Sequence, residues 1–274
     1  MNENEYEERY CLFLDILGFQ SHIDDTVSSK VTSSQMMTFS RLKSALEKIY
    51  EGVHYKEALV NDDGKTLVTS REVTQFSDSV IISYKKNETS GGTGVLSMLR
   101  DVHMLQLQLA PNGILFRGAI TSGLLFHNKD FVFGPALNDA VTLERLANYP
   151  RVILDGEIID DAGLRKTKKP EFSRTLSSMA TEDFDGLFYV DYFDIHPDDF
   201  DDDWDDIRYY LEKLRELIKG LSNKKSLSIK VKHSWLRTKY NNMAKPFMRE
   251  KYKKFGIHDV PEEYVELFSG IKPF

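Results

Sequence analysis

Apolar residues run without a break from position 10 to position 14, and the run ends at Asp15. A run of this length next to a turn signal predicts a buried strand, and Gly18 is that turn signal. A second apolar run, residues 80–84, follows Asp78 after one serine. The polar turn in front of it predicts a β-hairpin with Asp78 at the tip. Two carboxylates therefore stand at the ends of predicted strands.

Apolar residues at helical spacing predict helices in the intervening segments, and short apolar runs predict further strands. The predicted helices begin at Phe19, cover 33–50 and 95–109, and run from Pro135 to about residue 148; the predicted strands cover 9–16, 66–74, 80–84, 114–120, 131–133, 152–154 and 187–191. The order to about residue 155 is β-α-α-β-β-α-β-β-α-β. This order predicts an α+β, ferredoxin-like layer, an antiparallel-rich sheet with helices on one face.

The composition changes at His196-Pro197, and the pattern beyond it is helical. Residues 198–206 are strongly acidic, whereas residues 219–254 are rich in lysine and arginine. Charge runs of this kind usually form solvated helix faces. We expect two parts, a domain of residues 1–195 and a helical C-terminal extension of residues 196–274.

The bulk composition narrows the possible partners. The 274 residues are 41% apolar and 29% charged, with a net charge of −7, which is ordinary for a soluble globular protein. No sequence-wide basic field exists to hold nucleic acid, so we expect no nucleic-acid partner. The single cysteine, Cys11, excludes a disulfide framework and a multi-cysteine zinc site.

The N-terminal residues are acidic, unlike a signal or transit peptide. No apolar run approaches the roughly 18 residues of a membrane span. Together with the lone cysteine in an apolar strand, these features predict a cytoplasmic protein with no membrane partner.

Asp15 and Asp78 are the first candidates for chemistry. An ionised aspartate at the edge of an apolar strand is costly unless its charge is offset. A divalent cation can offset the charges of two such aspartates together. The pair therefore predicts a metal site suited to phosphoryl chemistry. The alternative is that each aspartate caps a turn after a strand.

Two further features suit a phosphate ligand. Arg117 lies inside an apolar strand, where its charge needs a partner, and a phosphate is the favoured one. A structural salt bridge is the alternative. The backbone N–H groups of Leu17, Gly18 and Phe19 open a predicted helix and form a natural phosphate seat. A plain strand-to-helix turn is the alternative there.

These elements, in this order, resemble class III nucleotidyl cyclases. The matching segments are residues 15–19, the hairpin of Asp78, the strand of residues 116–123 and the helix entry of residues 133–138. The resemblance implies that Asp15, Asp78 and the carbonyl of Ile16 hold two divalent ions, Mn²⁺ or Mg²⁺. It also implies that Arg117 contacts the triphosphate of a nucleoside triphosphate substrate.

In that family an asparagine contacts the ribose from the partner subunit, and Asn138 matches it. The resemblance therefore implies a homodimer with two sites shared between subunits. Three positions depart from the family pattern: Thr142 stands where a transition-state arginine is usual, and Thr74 and Phe131 stand at the two purine-reading positions. Arg145 and Arg151 are close to Thr142 along the chain.

More narrowly, several segments resemble the pyrimidine cyclases of bacterial Pycsar anti-phage systems. These are residues 13–19, 76–79, 133–137, 143–144 and 149–151. That resemblance implies a cyclase that makes cyclic UMP or cyclic CMP, which acts on a separate effector protein. No residue distinguishes UTP from CTP, although UTP is slightly favoured. Two alternatives stay open, a nucleotide-sensing module without turnover and a purine cyclase with an unusual base pocket.

Overall fold

A computed structural model describes residues 5–27, 33–54, 59–60, 66–67, 70–87, 94–165, 179–201, 203–245, 254–255 and 258–274. The elements in chain order are β1 (Glu7–Ile16), α1 (Phe19–Asp24), α2 (Ser33–His54), β2 (Leu59–Val60), β3 (Thr66–Leu67), β4 (Glu72–Phe76), β5 (Ser79–Lys85), α3 (Gly94–Leu109), β6 (Phe116–His127), β7 (Val132–Phe133), α4 (Pro135–Glu144), β8 (Val152–Leu154), α5 (Gly156–Asp161), β9 (Ala180–Glu182), β10 (Phe188–Val190), α6 (Trp204–Leu221), α7 (Leu227–Ala244), β11 (Lys254–Phe255), β12 (His258–Asp259) and α8 (Glu262–Ser269).

The main sheet has the strand order β4-β5-β1-β6-β8-β10-β9, and β7 pairs with the end of β6. Among the described strands every pairing in this sheet is antiparallel except β6 with β8. The chain is therefore α+β with an antiparallel-rich mixed sheet, as the sequence predicts. The two longest strands, β1 and β6, lie side by side at its centre.

Helices cover both faces of this sheet, so the prediction of helices on one face is wrong. Alternate residues of β1, among them Leu12 and Leu14, pack into a core with α2, α3 and α5. Cys11 points the other way and packs against Ala136 and Ala140 of α4. The unbroken apolar run of β1 explains this arrangement. In a strand covered on one face only, apolar and polar residues would alternate.

The C-terminal helices cover the second face beside α4. Tyr210 of α6 and Leu236 of α7 share one core with Ala119, Ile153 and Tyr189 of the sheet. Most of the described residues between 196 and 274 belong to α6, α7 and α8, and the division into two parts at residue 196 stays a prediction. None of the helices in the described part of the chain is long and apolar enough to cross a membrane.

Candidate active site

Strand pairing brings Asp15 and Asp78 together. Asp15 is the last residue but one of β1 and lies opposite Ser79, the first residue of β5. Asp78 is in the two-residue turn between β4 and β5, and Ser77 before it has a φ of 56°. The N–H of Ile16 donates to the backbone carbonyl of Asp78 at 3.1 Å. The tip of the hairpin is therefore fixed against the end of β1.

The two carboxylates repel each other in the free protein. Burial, together with the charges of Asp78 and Glu144, raises the pKa of Asp15 to about 6 against the opposing effect of Arg117. Such a pair is stabilised by a bound cation. Among the described residues no group of three or more His, Cys, Asp or Glu side chains could hold a metal. The protein thus offers two carboxylates and leaves other coordination positions to backbone, water or substrate oxygens, which fits divalent ions held together with phosphates.

Arg117 lies beside Asp15 on the neighbouring strand, because the two residues are Cα partners of β1 and β6. Its Nε donates to the carboxylate of Glu144 on α4, and the Glu144 side chain is only 6% exposed. The alternative of a structural salt bridge at Arg117 named no partner, and Glu144 is that partner. A signal existed, because Ala136, Ala140 and Glu144 are spaced by four residues and share the buried face of α4.

The turn after β1 provides fewer free amides than predicted. Gly18 has a φ of 75°, a conformation that favours glycine, and it precedes the short helix α1. The N–H of Leu17 donates to the carbonyl of Leu115 at 2.8 Å. Leu17 is therefore a wrong assignment for a phosphate-binding amide, because its donor is used within the sheet. Gly18 and Phe19 stay predictions for that role.

Asn138 lies on the solvent-exposed side of α4. The helix begins after Gly134, where a Cβ would come within 2.7 Å of the Leu124 carbonyl oxygen. Asn138 is exposed, and within the described residues its side chain forms no hydrogen bond with Asp15 or Asp78 of its own chain. Thr142 lies one turn further along and donates its hydroxyl to the Asn138 carbonyl at 2.8 Å. The role of Asn138 at a site shared between subunits stays a prediction.

Thr74 belongs to a hydrogen-bonded chain that the sequence did not indicate. A hydrogen bond of 3.0 Å joins Thr74 Oγ1 to His127 Nε2, and one of 2.8 Å joins His127 Nδ1 to Ser83 Oγ. Arg9 Nε donates to the same Ser83 oxygen at 2.9 Å. Burial and the charge of Arg9 lower the pKa of His127 to about 4, so this histidine is neutral at neutral pH. Phe131 follows His127 in an exposed turn.

Two cavities lie near these residues. One of about 810 Å³ is lined by Phe19, Thr74 and Ser77 together with much of α2. Through Ser77 it lies next to the turn that carries Asp78, on the side of α1 and α2. The other, of about 480 Å³, is lined by Arg117 and by residues of α7 and lies on the second face of the sheet. Asp15 and Arg117 point to that second face, since Leu14 and Ile16 point to the first.

The two arginines near Thr142 have different surroundings. Arg151 is fully buried and donates to Asp183 at 2.6 Å and to Asp185. Arg145 is exposed at the C-terminal end of α4, and no ion pair to it is found in the described part of the chain. It lies three positions after Thr142 and seven positions after Asn138, so Asn138, Thr142 and Arg145 share one side of the helix. Arg145 is thus the arginine that remains available.

Comparison with known proteins gives matches only among solved structures. No family model matches the chain, and no curated protein matches it. One match is the adenylyl cyclase CyaB from P. aeruginosa, with 13% sequence identity and a TM-score of 0.38. The match covers 68% of the present chain and 92% of the CyaB chain. The catalytic core of a rhodopsin-guanylyl cyclase with converted specificity, in complex with ATPαS, matches 69% over 98%, at 14% identity and a TM-score of 0.38. Neither score is in the range in which a structural match by itself supports a family or an activity.

Proposed function

We propose that this protein is a nucleotide cyclase that converts a nucleoside triphosphate to a 3′,5′-cyclic monophosphate and pyrophosphate. The observation that carries the proposal is the meeting of Asp15 and Asp78, with Arg117 beside them on the next strand. Two carboxylates that a neighbouring arginine compensates only in part suit a substrate that brings divalent cations and phosphates together.

In this proposal Asp15 and Asp78, with the carbonyl of Ile16, hold two Mn²⁺ or Mg²⁺ ions. The bound ions supply positive charge that favours ionisation of the ribose 3′-hydroxyl and offsets the charge of the phosphates. Arg117 binds a phosphate through its Nη groups, because only its Nε is engaged by Glu144. Glu144 fixes the direction of the guanidinium, and the N–H groups of Gly18 and Phe19 are available to phosphate oxygens.

The site is completed by a second copy of the chain. Asn138 is exposed on α4, and its side chain has no hydrogen bond to Asp15 or Asp78 among the described residues, which suits a contact with the ribose in the partner's site. The assembly is a head-to-tail homodimer with two equivalent shared sites. Arg145 lies on the same side of α4 as Asn138 and provides the positive charge that Thr142 lacks.

The proposed substrate is a pyrimidine triphosphate, UTP or CTP. Thr74 and Phe131 replace the purine-reading residues of the cyclases that the sequence resembles, and Thr74 is held by a neutral histidine. The segments shared with the Pycsar pyrimidine cyclases further suggest an anti-phage role in the cytoplasm, with a cyclic product that acts on a separate effector protein.

The test is an assay of the purified protein with Mn²⁺ or Mg²⁺ and each of the four nucleoside triphosphates, with products identified by mass spectrometry. We expect cyclic UMP or cyclic CMP, and no product without a divalent ion. A cyclic purine nucleotide as the main product would keep the reaction class and reject the pyrimidine assignment. Binding of a triphosphate without any cyclic product would favour a sensing module.

A further inference from the structure

A second cation lies beside Arg117 on the second face of the sheet. Lys232 of α7 lines the same cavity of about 480 Å³, together with Asn148 and Ser228. Burial lowers the pKa of Lys232, and the positive charge of Arg117 lowers it further. Two cations that repel each other across one cavity are unfavourable in the free protein. An anion between them removes this repulsion.

Both cations have donors available for such an anion. Lys232 Nζ donates to Ser228 Oγ at 2.6 Å, and no carboxylate pairs with it among the described residues. Arg117 is engaged by Glu144 through Nε, and the structure places no further described partner on its two Nη groups. An ammonium with a free donor and a guanidinium with two free nitrogens are the groups that bind phosphate oxygens.

The remaining acid of the cavity is already neutralised. Asp185 lines the same cavity, but both of its carboxylate oxygens accept hydrogen bonds from Arg151. Its charge is therefore offset by Arg151. Arg117 keeps its two Nη groups beside the pair with Glu144, and Lys232 has no carboxylate partner among the described residues, so the cavity offers charged donors to an anion.

The fold holds Lys232 in place through α7. Trp235 Nε1 donates to Asp183 at 2.7 Å, and Lys239 Nζ lies 2.9 Å from the same carboxylate. Lys232, Trp235 and Lys239 are three and four residues apart, so they share the face of α7 that meets the sheet. Because two of them are bound to a buried aspartate, the third is presented to the cavity by a fixed helix.

We propose that Lys232 and Arg117 together bind the phosphate chain of the substrate, with Lys232 on the β- and γ-phosphates that leave as pyrophosphate. This inference rests on the proposed function and extends it, because it makes the helical extension a part of the active site. Lys232 then supplies, from the same chain, positive charge at the end of the substrate opposite the ribose.

The experiment uses inorganic tripolyphosphate, titrated calorimetrically into the full-length protein in the presence of Mg²⁺. We expect Lys232→Gln to bind it about tenfold more weakly than wild type, the effect of losing one charge-assisted hydrogen bond. Lys232→Arg should retain most of the affinity. The matched control is Lys230→Gln, which removes the same charge two residues away on the exposed side of α7.

Thermal unfolding without tripolyphosphate separates binding from a structural role. Lys232→Gln should melt at the wild-type temperature or above, since it removes a repulsion with Arg117. A lower melting temperature with unchanged tripolyphosphate affinity would show a structural residue and overturn the inference. Equal weakening by Lys230→Gln, or no binding by wild type, would overturn it as well.

The outcome is independent of turnover. Protein that binds tripolyphosphate through Lys232 but forms no cyclic nucleotide would reject the proposed function and keep the phosphate site. Cyclic product together with wild-type tripolyphosphate affinity in Lys232→Gln would reject the phosphate site and keep the proposed function.

Discussion

Two groups of charged side chains lie on the same face of the sheet, and their surroundings differ. At the edge formed by β9 and β10, Arg151 binds Asp183 and Asp185, and Asp183 also accepts from Trp235 and Lys239. At the end of β1, Asp15 faces a second carboxylate, Asp78. The positive charge of Arg117 offsets the charge of Asp15 only in part. The first group is balanced by protein groups, and the second is not.

The pKa values of the two aspartates record this difference. Burial raises the pKa of both, but hydrogen bonds from Lys239 and Trp235 hold that of Asp183 below its ordinary value. The pKa of Asp15 instead rises to about 6. A protein keeps an unbalanced buried charge where a ligand balances it, so perturbation in this direction indicates a binding site. The balanced group is a structural link between the sheet and α7.

The largest expected effect comes from neutralising the unbalanced group. Asp15→Asn should lower turnover by about a hundredfold or more, since it removes a ligand to the ions that offset the phosphate charge. The same variant should melt at a slightly higher temperature without divalent ions, because one of two repelling carboxylates loses its charge. Product formation and melting temperature are measured on the same sample.

The control is Glu216→Gln, which neutralises an acid on the exposed side of α6. It should change neither quantity. Full activity in Asp15→Asn would contradict the metal assignment, and a marked fall in its melting temperature would contradict the repulsion between the two carboxylates.

Breaking the balanced group should lower the stability of the protein, in contrast to the slightly higher melting temperature expected for Asp15→Asn. Arg151→Met leaves Asp183 and Asp185 without their central cation, and we expect a loss of about 3–5 kcal/mol in the free energy of unfolding. Urea denaturation measures this loss. Arg165→Met removes an exposed pair with Asp160 and should cost at most about 1 kcal/mol. Equal losses in the two variants would show that burial of the Arg151 network has no energetic weight.

The smallest effect is a pH dependence. Between its ordinary pKa of 3.8 and its value of about 6 in the folded protein, Asp15 binds more protons in the folded state. Its contribution to the free energy of unfolding therefore falls as pH rises through this range. His127 acts in the opposite sense, since its pKa falls from 6.5 to about 4 and its contribution rises with pH.

The difference between wild type and Asp15→Asn isolates the first contribution. Without divalent ions, the stability advantage of Asp15→Asn should grow from about pH 4 to about pH 6 and then level off. Urea denaturation at about pH 4, 5, 6 and 7 measures the two proteins side by side. An advantage that is constant over this range would show that Asp15 titrates normally.

The sequence predicts the local parts of this architecture because local patterns determine them. The apolar run before Asp15, the turn at Asp78 and Pro135 at the first position of α4 each fix a short element and its end. Strand pairing then brings the two aspartates together, as the hypothesis of a shared cation requires. Short segments thus predict the elements that carry the two aspartates, whereas their meeting is expected from the shared-cation hypothesis and rests on the pairing of β1 with β5.

The remaining parts depend on contacts between distant segments. Glu144 engages the nitrogen that Arg117 would otherwise offer to a ligand, His127 holds Thr74, and Lys232 reaches the site from α7. His127 and Lys232 have unremarkable local patterns, and Glu144 is marked only by its spacing from Ala136 and Ala140 on the buried face of α4. The expectation of a one-faced sheet failed for the same reason, since only packing shows that α4, α6 and α7 cover the second face.

Thr74 does not stand alone at the position proposed to read the base. It is tied through His127 and Ser83 to Arg9, so a substitution there leaves a buried imidazole nitrogen without its partner. A lysine at position 74 would also place a cation against a histidine that is already near Arg9. Under the proposed function, base preference would therefore depend on linked positions on β4, β5, β6 and the N-terminal part of β1. A change of nucleotide would then require these positions to change together.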